Sequence, residues 1–198
     1  MVNPEYSRAI SIGIALLSTI VDRLPQRDSP VVALSYQHHA YDVVNRRLDL
    51  IASRLSAVLQ RAGYAALPIA ASQTVDSRRL LGAFSHKMAA HLAGLGWIGR
   101  SCLLVTPTAG PRVRWATVLT DASLTATGEP MEEQCGDCQI CVEACPAKAF
   151  TGRAFYADEP RAARFAAQAC ASYLDRIEEV LATSVCGLCL YACPYGQT

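Results

Sequence analysis

Ile10, Ile12 and Ile14 alternate with small or polar residues, the period-two pattern of a strand. From Leu16 onward the apolar positions Leu17, Ile20, Val21 and Leu24 switch to helical spacing. After the turn-forming run PQRDSP, a short apolar VVALS leads into Val44, Leu48, Ile51, Leu55 and Val58, with Arg46, Arg47, Arg54 and Arg61 mostly on the other faces. That spacing predicts a long amphipathic helix, closed by Gly63 as a left-handed cap. Residues 64–70, YAALPIA, read as an edge strand or extended segment, because Pro68 removes a ladder donor. A second helical segment over 84–94 runs into GLGWIG. The alternating runs CLLVT (102–106) and VRWATVLTD (113–121), joined by PTAGPR, predict a β-hairpin.

These elements make residues 1–121 an α/β domain with mixed strands and a long helix. Residues 122–134, ASLTATGEPMEEQ, carry no periodicity and read as a linker. Beyond them the composition changes abruptly. Eight of the nine cysteines fall within 135–198, in two groups separated by a helical stretch over about 160–182.

Composition narrows the class. At 198 residues, with 52% hydrophobic residues, 18% charged and a formal net charge of +1, the chain falls among compact folded proteins. No basic tail or face is evident, so tRNA or other nucleic acid is not an expected partner. The apolar run at 9–21 resembles a leader, but Glu5 precedes it, Asp22 and Arg23 close it, and no small-residue cleavage site follows. It is also shorter than the roughly 20 residues that span a bilayer. The expected location is therefore cytoplasmic, with no membrane contact, where thiols stay reduced and free for metal.

Cys135, Cys138, Cys141 and Cys145, followed by Pro146, have the spacing of a bacterial [4Fe–4S] motif. Three thiolates three residues apart on a tight loop reach three corners of one cubane, while inward backbone N–H groups offset its charge. In that motif the fourth cysteine ligates the other cluster. Structural zinc usually takes two well-separated cysteine pairs, so four thiols packed this closely fit it poorly. The second group, Cys186, Cys189 and Cys193 before Pro194, lacks a leading cysteine, and Cys170 inside the module can supply it. Crossing the halves gives one cluster on Cys135, Cys138, Cys141 and Cys193, and a second on Cys145, Cys170, Cys186 and Cys189. Cys102 is left over and reads as a small buried hydrophobe at the opening of a strand.

The runs HKMAAHLAGLGWIGRSCLLVT, VLTD, CGDCQICVEACP, CASYL and CGLCLYACP resemble the core of the epoxyqueuosine reductase family. That family is related to the reductive dehalogenases. The resemblance implies a nitroreductase-like α/β domain followed by a dicluster ferredoxin-like module, with a corrinoid (cobalamin) between them fed by two [4Fe–4S] clusters. It supports the ligand sets above, Cys170 included. The family's catalytic aspartate falls at Leu80, with Asp76 the nearest acid, so no catalytic residue is assigned. The segment matching the family's cofactor border implies His86, Lys87, Gly94, Gly96, Trp97 and Gly99 as cofactor-binding candidates. Its glycines permit close backbone approach, whereas a Rossmann phosphate loop is disfavoured because a helix precedes it and a strand follows. Arg100, Arg112 and Arg114 are further candidates for cofactor carboxamides or an acidic substrate. His38 and His39 are open to a proton-donor or a surface role.

The expected activity is thus an iron–sulfur oxidoreductase acting on a small or nucleoside-like substrate, with electrons from a donor such as a ferredoxin or flavodoxin. The alternatives are a non-catalytic dicluster electron carrier and a flavin- or nicotinamide-linked redox module. The α/β half favours a cofactor or substrate site, since a bare dicluster ferredoxin does not need it.

Overall fold

The computed structural model describes residues 6–197; Glu5 lies outside the described residues. Strand β1 (Arg8–Ala15) leads to the short helix α1 (Ser18–Val21). Helix α2 (Pro30–Tyr36) starts with proline in its first turn, where the ring's fixed φ suits the helix and the missing N–H is no loss. It continues through a π-helical stretch (Gln37–Val44) into α3 (Asn45–Arg61), so VVALS is the first turns of one long helix. Gly63, at φ +89°, ends it as predicted.

The buried face of that helix is Val44, Leu48, Ala52 and Ser56, whereas Ile51 and Val58 are exposed. The i, i+4 row, small at Ala52 and Ser56, is buried ahead of the larger Ile51 and Val58 because it packs on β5; the Ser56 hydroxyl donates to the Ala52 carbonyl at 2.9 Å.

Strand β2 (Ala66–Ile69) lies at a sheet edge, as Pro68 requires. Helix α4 (His86–Leu92) is capped by Ser85, which accepts the Met88 N–H. The two-residue strands β3 (Trp97–Ile98) and β4 (Leu104–Val105) pair with each other, and β5 (Val113–Thr120) lies between β1 and β2 in an antiparallel sheet of order β1-β5-β2.

The predicted hairpin of 102–106 with 113–121 is therefore corrected. Cys102 does not open a strand; it sits at φ +55° in a turn that brings β4 back onto β3, with its N–H donating to the Gly99 carbonyl at 2.8 Å. Both edges of β5 are taken by β1 and β2, so β4 pairs with β3 instead, and just beyond it Thr106 makes an isolated bridge to Gly110.

Residues 122–139 contain no helix or strand. The cysteine-rich part then supplies α5 (Ile140–Glu143), α6 (Ala167–Leu181) and α7 (Leu188–Tyr191). The helix expected over 160–182 begins later, preceded by a 3-10 turn at Arg161–Ala163. The two parts of the chain share one core: Val185 and Leu190 are buried with Leu16, Leu24, Val44, Leu48 and Val118. Among the described residues no helix is long and apolar enough to cross a membrane.

Candidate cluster sites and an adjoining cavity

Each loop of the cysteine-rich part is shaped by a residue that tolerates left-handed backbone. Gly136 (φ +52°) turns the chain after Cys135, and the Cys138 N–H closes that turn on the Cys135 carbonyl at 3.0 Å. Gly187 (φ +65°) does the same between Cys186 and Cys189. The thiols of Cys135, Cys138, Cys141 and Cys193 line one small cavity together with Gly99, Arg100 and Tyr195. Cys170, on α6, is brought near Cys145 and Cys186, whose charges act on it.

Electrostatics sort the thiols into the same two groups. Burial, then Cys193, Cys135 and Cys138, push the Cys141 thiol up to about 11. Burial, then Cys186, Cys145 and Cys170, push Cys189 up to about 12, with Cys141 the weakest contributor. Thiolates gathered this closely need cationic iron and N–H donors to persist. Donors are present: Ala149 N–H lies 3.4 Å from Cys145 Sγ. Backbone N–H groups of Arg100, Leu188 and Tyr195 favour the thiolates of Cys135, Cys186 and Cys193 respectively.

Among the described residues no three His, Cys, Asp or Glu side chains close on a single ion. Trp97 provides a further sign of fit. It is fully buried beside Cys135 and Cys193, and its Nε1–H, bonded to no oxygen or nitrogen, has only the Cys135 thiol as a weak partner. That donor lowers the Cys135 thiol against the larger, raising effect of burial.

A second cavity of about 510 Å³ opens between the two parts of the chain, lined by residues 69–74, 80–88, Ile98 and Cys102 from one and by Phe155, Ala157, Glu159, Arg161 and Arg164 from the other. His86 and Lys87 face it. The His86 ring is spoken for: Nε2–H donates to the Ala70 carbonyl at 2.9 Å, which leaves Nδ1 to accept from the Thr117 hydroxyl at 2.8 Å. Burial accordingly holds its pKa below the ordinary histidine value. Lys87 Nζ donates to the Cys102 carbonyl. Burial first, and then the nearby Arg161 and Arg164, lower its pKa against the raising effect of Cys102.

The structure divides the remaining cofactor candidates. Gly99 borders the thiol cavity, where an added Cβ would lie 3.4 Å from Cys135 Sγ and 2.8 Å from Val105 Cγ2. Gly94 and Gly96 approach protein backbone: a Cβ on Gly96 would lie 2.2 Å from the Val105 carbonyl oxygen, and one on Gly94 2.8 Å from that of Glu129. Arg100 latches the cluster loop by donating to the Gly136 and Gly152 carbonyls. Arg112 pairs with Asp22 at 2.7 Å, and Arg114 donates to Asn45 at 3.0 Å while covering the Tyr41 ring. His38 is exposed beside Asp42, and His39 accepts the Leu17 N–H at 3.1 Å. Leu80 lines the large cavity, whereas Asp76 accepts the Arg79 N–H at 2.9 Å in the adjoining turn.

Phe155, Arg161 and Arg164 were not singled out from sequence. Their only signal was proximity to the cysteine groups, and an arginine in a polar stretch gives no hint of burial.

Residues 134–196 match the 4Fe-4S double cluster binding domain family. Over 128 residues the chain is 35% identical to the epoxyqueuosine reductase of Synechococcus sp. (strain RCC307), covering 62% of this chain and 37% of that protein. Against the epoxyqueuosine reductase of Bacillus subtilis (strain 168) it is 25% identical over 202 residues, covering 98% of this chain and 47% of the other. The chain thus spans less than half the length of both relatives.

Among solved structures, a reductive dehalogenase described as B12-dependent gives a TM-score of 0.70 at 21% identity, covering 96% of this chain and 26% of that one. An epoxyqueuosine reductase holding an epoxyqueuosine-modified tRNA stem loop gives 0.53 at 18% identity, covering 97% and 62%. These structural likenesses show a shared fold.

Proposed function

From a chain that belongs to the epoxyqueuosine reductase-like family and carries its 4Fe–4S double cluster domain, we propose an iron–sulfur reductase whose substrate enters the cavity between the two parts. One cluster is held by Cys135, Cys138, Cys141 and Cys193, the other by Cys145, Cys170, Cys186 and Cys189. The thiol neighbourhoods support both sets. When bound, the clusters supply low-potential electrons and a corrinoid supplies the reducing cobalt centre.

The protein's own share is binding and orientation. Backbone N–H groups and Trp97 Nε1–H favour ligand thiolates, and Arg100 fixes the loop between Cys135 and Cys138. Apolar walls with a few convergent donors suit part of a flat amphipathic ring. Both ring nitrogens of His86 are engaged, by Ala70 and Thr117, and His91 Nδ1 contacts the Gly96 carbonyl at 3.1 Å. The α/β half, read as nitroreductase-like, supplies the wall carrying His86 and Lys87.

The observation that carries this reading is the cavity built from both parts, which a carrier of electrons alone has no use for. The substrate is small or nucleoside-like. A modified nucleoside within tRNA belongs among the candidates despite the near-zero net charge, because one relative was solved with such a stem loop. The test is anaerobic reconstitution followed by iron counting, EPR and cobalamin titration. About eight irons with a stoichiometric corrinoid supports the reading. Eight irons with affinity for neither corrinoid nor flavin sinks it in favour of a carrier.

A further inference from the structure

The wall of the large cavity contributed by the cysteine-rich part is cationic, and its charges are unmatched. Arg164 is 7% exposed, its Nε has no hydrogen-bond partner, and its guanidinium lies 4.5 Å from the Phe155 ring centroid. Its Nη1 reaches no better acceptor than Cys102 Sγ at 4.0 Å. Arg161 donates to the Leu80 carbonyl at 3.0 Å and to that of Arg79, and Lys87 donates to the Cys102 carbonyl. Among the described residues none of the three has a carboxylate partner. Glu159 also lines the cavity, but it is paired with Arg153.

Buried charge without a counter-charge is costly, and like charges on one wall add to that cost. Carbonyls and an aromatic face orient such cations without neutralising them. Lys87 reaches in from the opposite wall, where Ile69, Met88 and Ile98 supply apolar surface.

We infer that Arg164, Arg161 and Lys87 form a subsite for the oxyanion of a small substrate, a carboxylate or phosphate on an apolar or aromatic body. This rests on the reading of the cavity as the reductase's substrate chamber, and it narrows the substrate class. Arg164 is the central element, because its guanidinium lines the cavity, is 7% exposed and has no carboxylate partner among the described residues.

The full chain, cluster-loaded and free of corrinoid, is titrated calorimetrically with benzoate and with phenyl phosphate, and with benzyl alcohol as the neutral counterpart. At least one anion binds tenfold or more tighter than the alcohol, and whichever does identifies carboxylate or phosphate as the preferred group. Arg164→Gln removes that preference and leaves alcohol affinity unchanged, and Arg164→Lys restores part of it. Lys87→Met, checked by iron content and circular dichroism, weakens the same anion and covers the case in which position 164 does not tolerate glutamine.

Anions that bind no better than the alcohol, or retain full affinity in both Arg164→Gln and Lys87→Met, overturn the subsite. Displacement of the anion by saturating cobalamin also overturns it, since the cations would then serve the cofactor's own phosphate. Failure to bind cobalamin with the anion preference intact would instead remove the corrinoid reading and leave the subsite standing.

Discussion

Replacing Gly96 with alanine tests whether the glycine-rich segment serves the protein's own backbone. The added Cβ would sit 2.2 Å from the Val105 carbonyl oxygen and 2.9 Å from its carbon, where ordinary contact begins at 3.4 Å. Neither neighbour is a side chain that can swing aside. Val105 is held in β4 by its pairing with Trp97, so relief requires opening β3 from β4. Overpacking of this kind costs about 1–3 kcal/mol, and a backbone obstacle puts Gly96 at the upper end.

For a domain of this size that corresponds to a fall of roughly 6–12 °C in Tm. The control is Gly63→Ala, where nothing lies within 4 Å of the new Cβ and only the left-handed φ of +89° is penalised. Its cost is about 1–2 kcal/mol. Thermal unfolding of both cluster-loaded variants, anaerobically and at one scan rate, makes the comparison. If Gly96→Ala melts with or above Gly63→Ala, the close approach does not constrain the fold as described.

Four further outcomes are expected. Cys170→Ala halves the iron content and abolishes one EPR signal, whereas Cys102→Ala retains both clusters; intact spectra for the Cys170 variant would refute the ligand set. Trp97→Phe lowers the potential of the cluster on Cys135 in an EPR-monitored titration, because the indole donor stabilises the more negative, reduced state. Arg100→Ala frees the carbonyls of Gly136 and Gly152 and speeds loss of iron to a chelator, followed by absorbance.

The fourth outcome concerns the metal-free chain. Its Cys141 and Cys189 thiols are raised from the ordinary 9.0 to about 11 and about 12. Folding therefore favours the protonated form: their contribution to stability is full below pH 9 and is lost as pH rises through the raised values. Metal-free Tm should fall across that window, and a flat profile would count against the buried thiol clusters.

The sequence displayed what depends on local spacing. The strand at Arg8–Ala15, the long helix ending at Gly63, the edge position of Pro68 and the two cysteine motifs all follow from periodicity, turn chemistry or ligand spacing. Counting ligands in the sequence also points to Cys170, which the fold sets near Cys145 and Cys186. Tertiary choices were not legible. Leu104–Val105 alternates like half of a hairpin with 113–120, and only the turn at Cys102 and the occupied edges of β5 send it to Trp97. Ile51 and Val58 look like core by size, yet Ala52 and Ser56 are buried because close packing on the sheet rewards small side chains. Arg161 and Arg164 carry no mark in the sequence, and only the fold turns them toward a cavity.

The shared core has a consequence for damage. Leu24, from the first turns of the chain, lies so close to Gly187 that an added Cβ there would be 2.7 Å from Leu24 Cδ1, and Val185 beside it is fully buried. Gly187 also shapes the loop carrying Cys186 and Cys189. Oxidation of those thiols would release this loop and, with it, one side of the core that supports β1 and the long helix. Oxidative injury would then be felt as a loosened fold as well as a lost electron carrier, and an oxidised chain would be marked for proteolysis by the same residues that hold its metal.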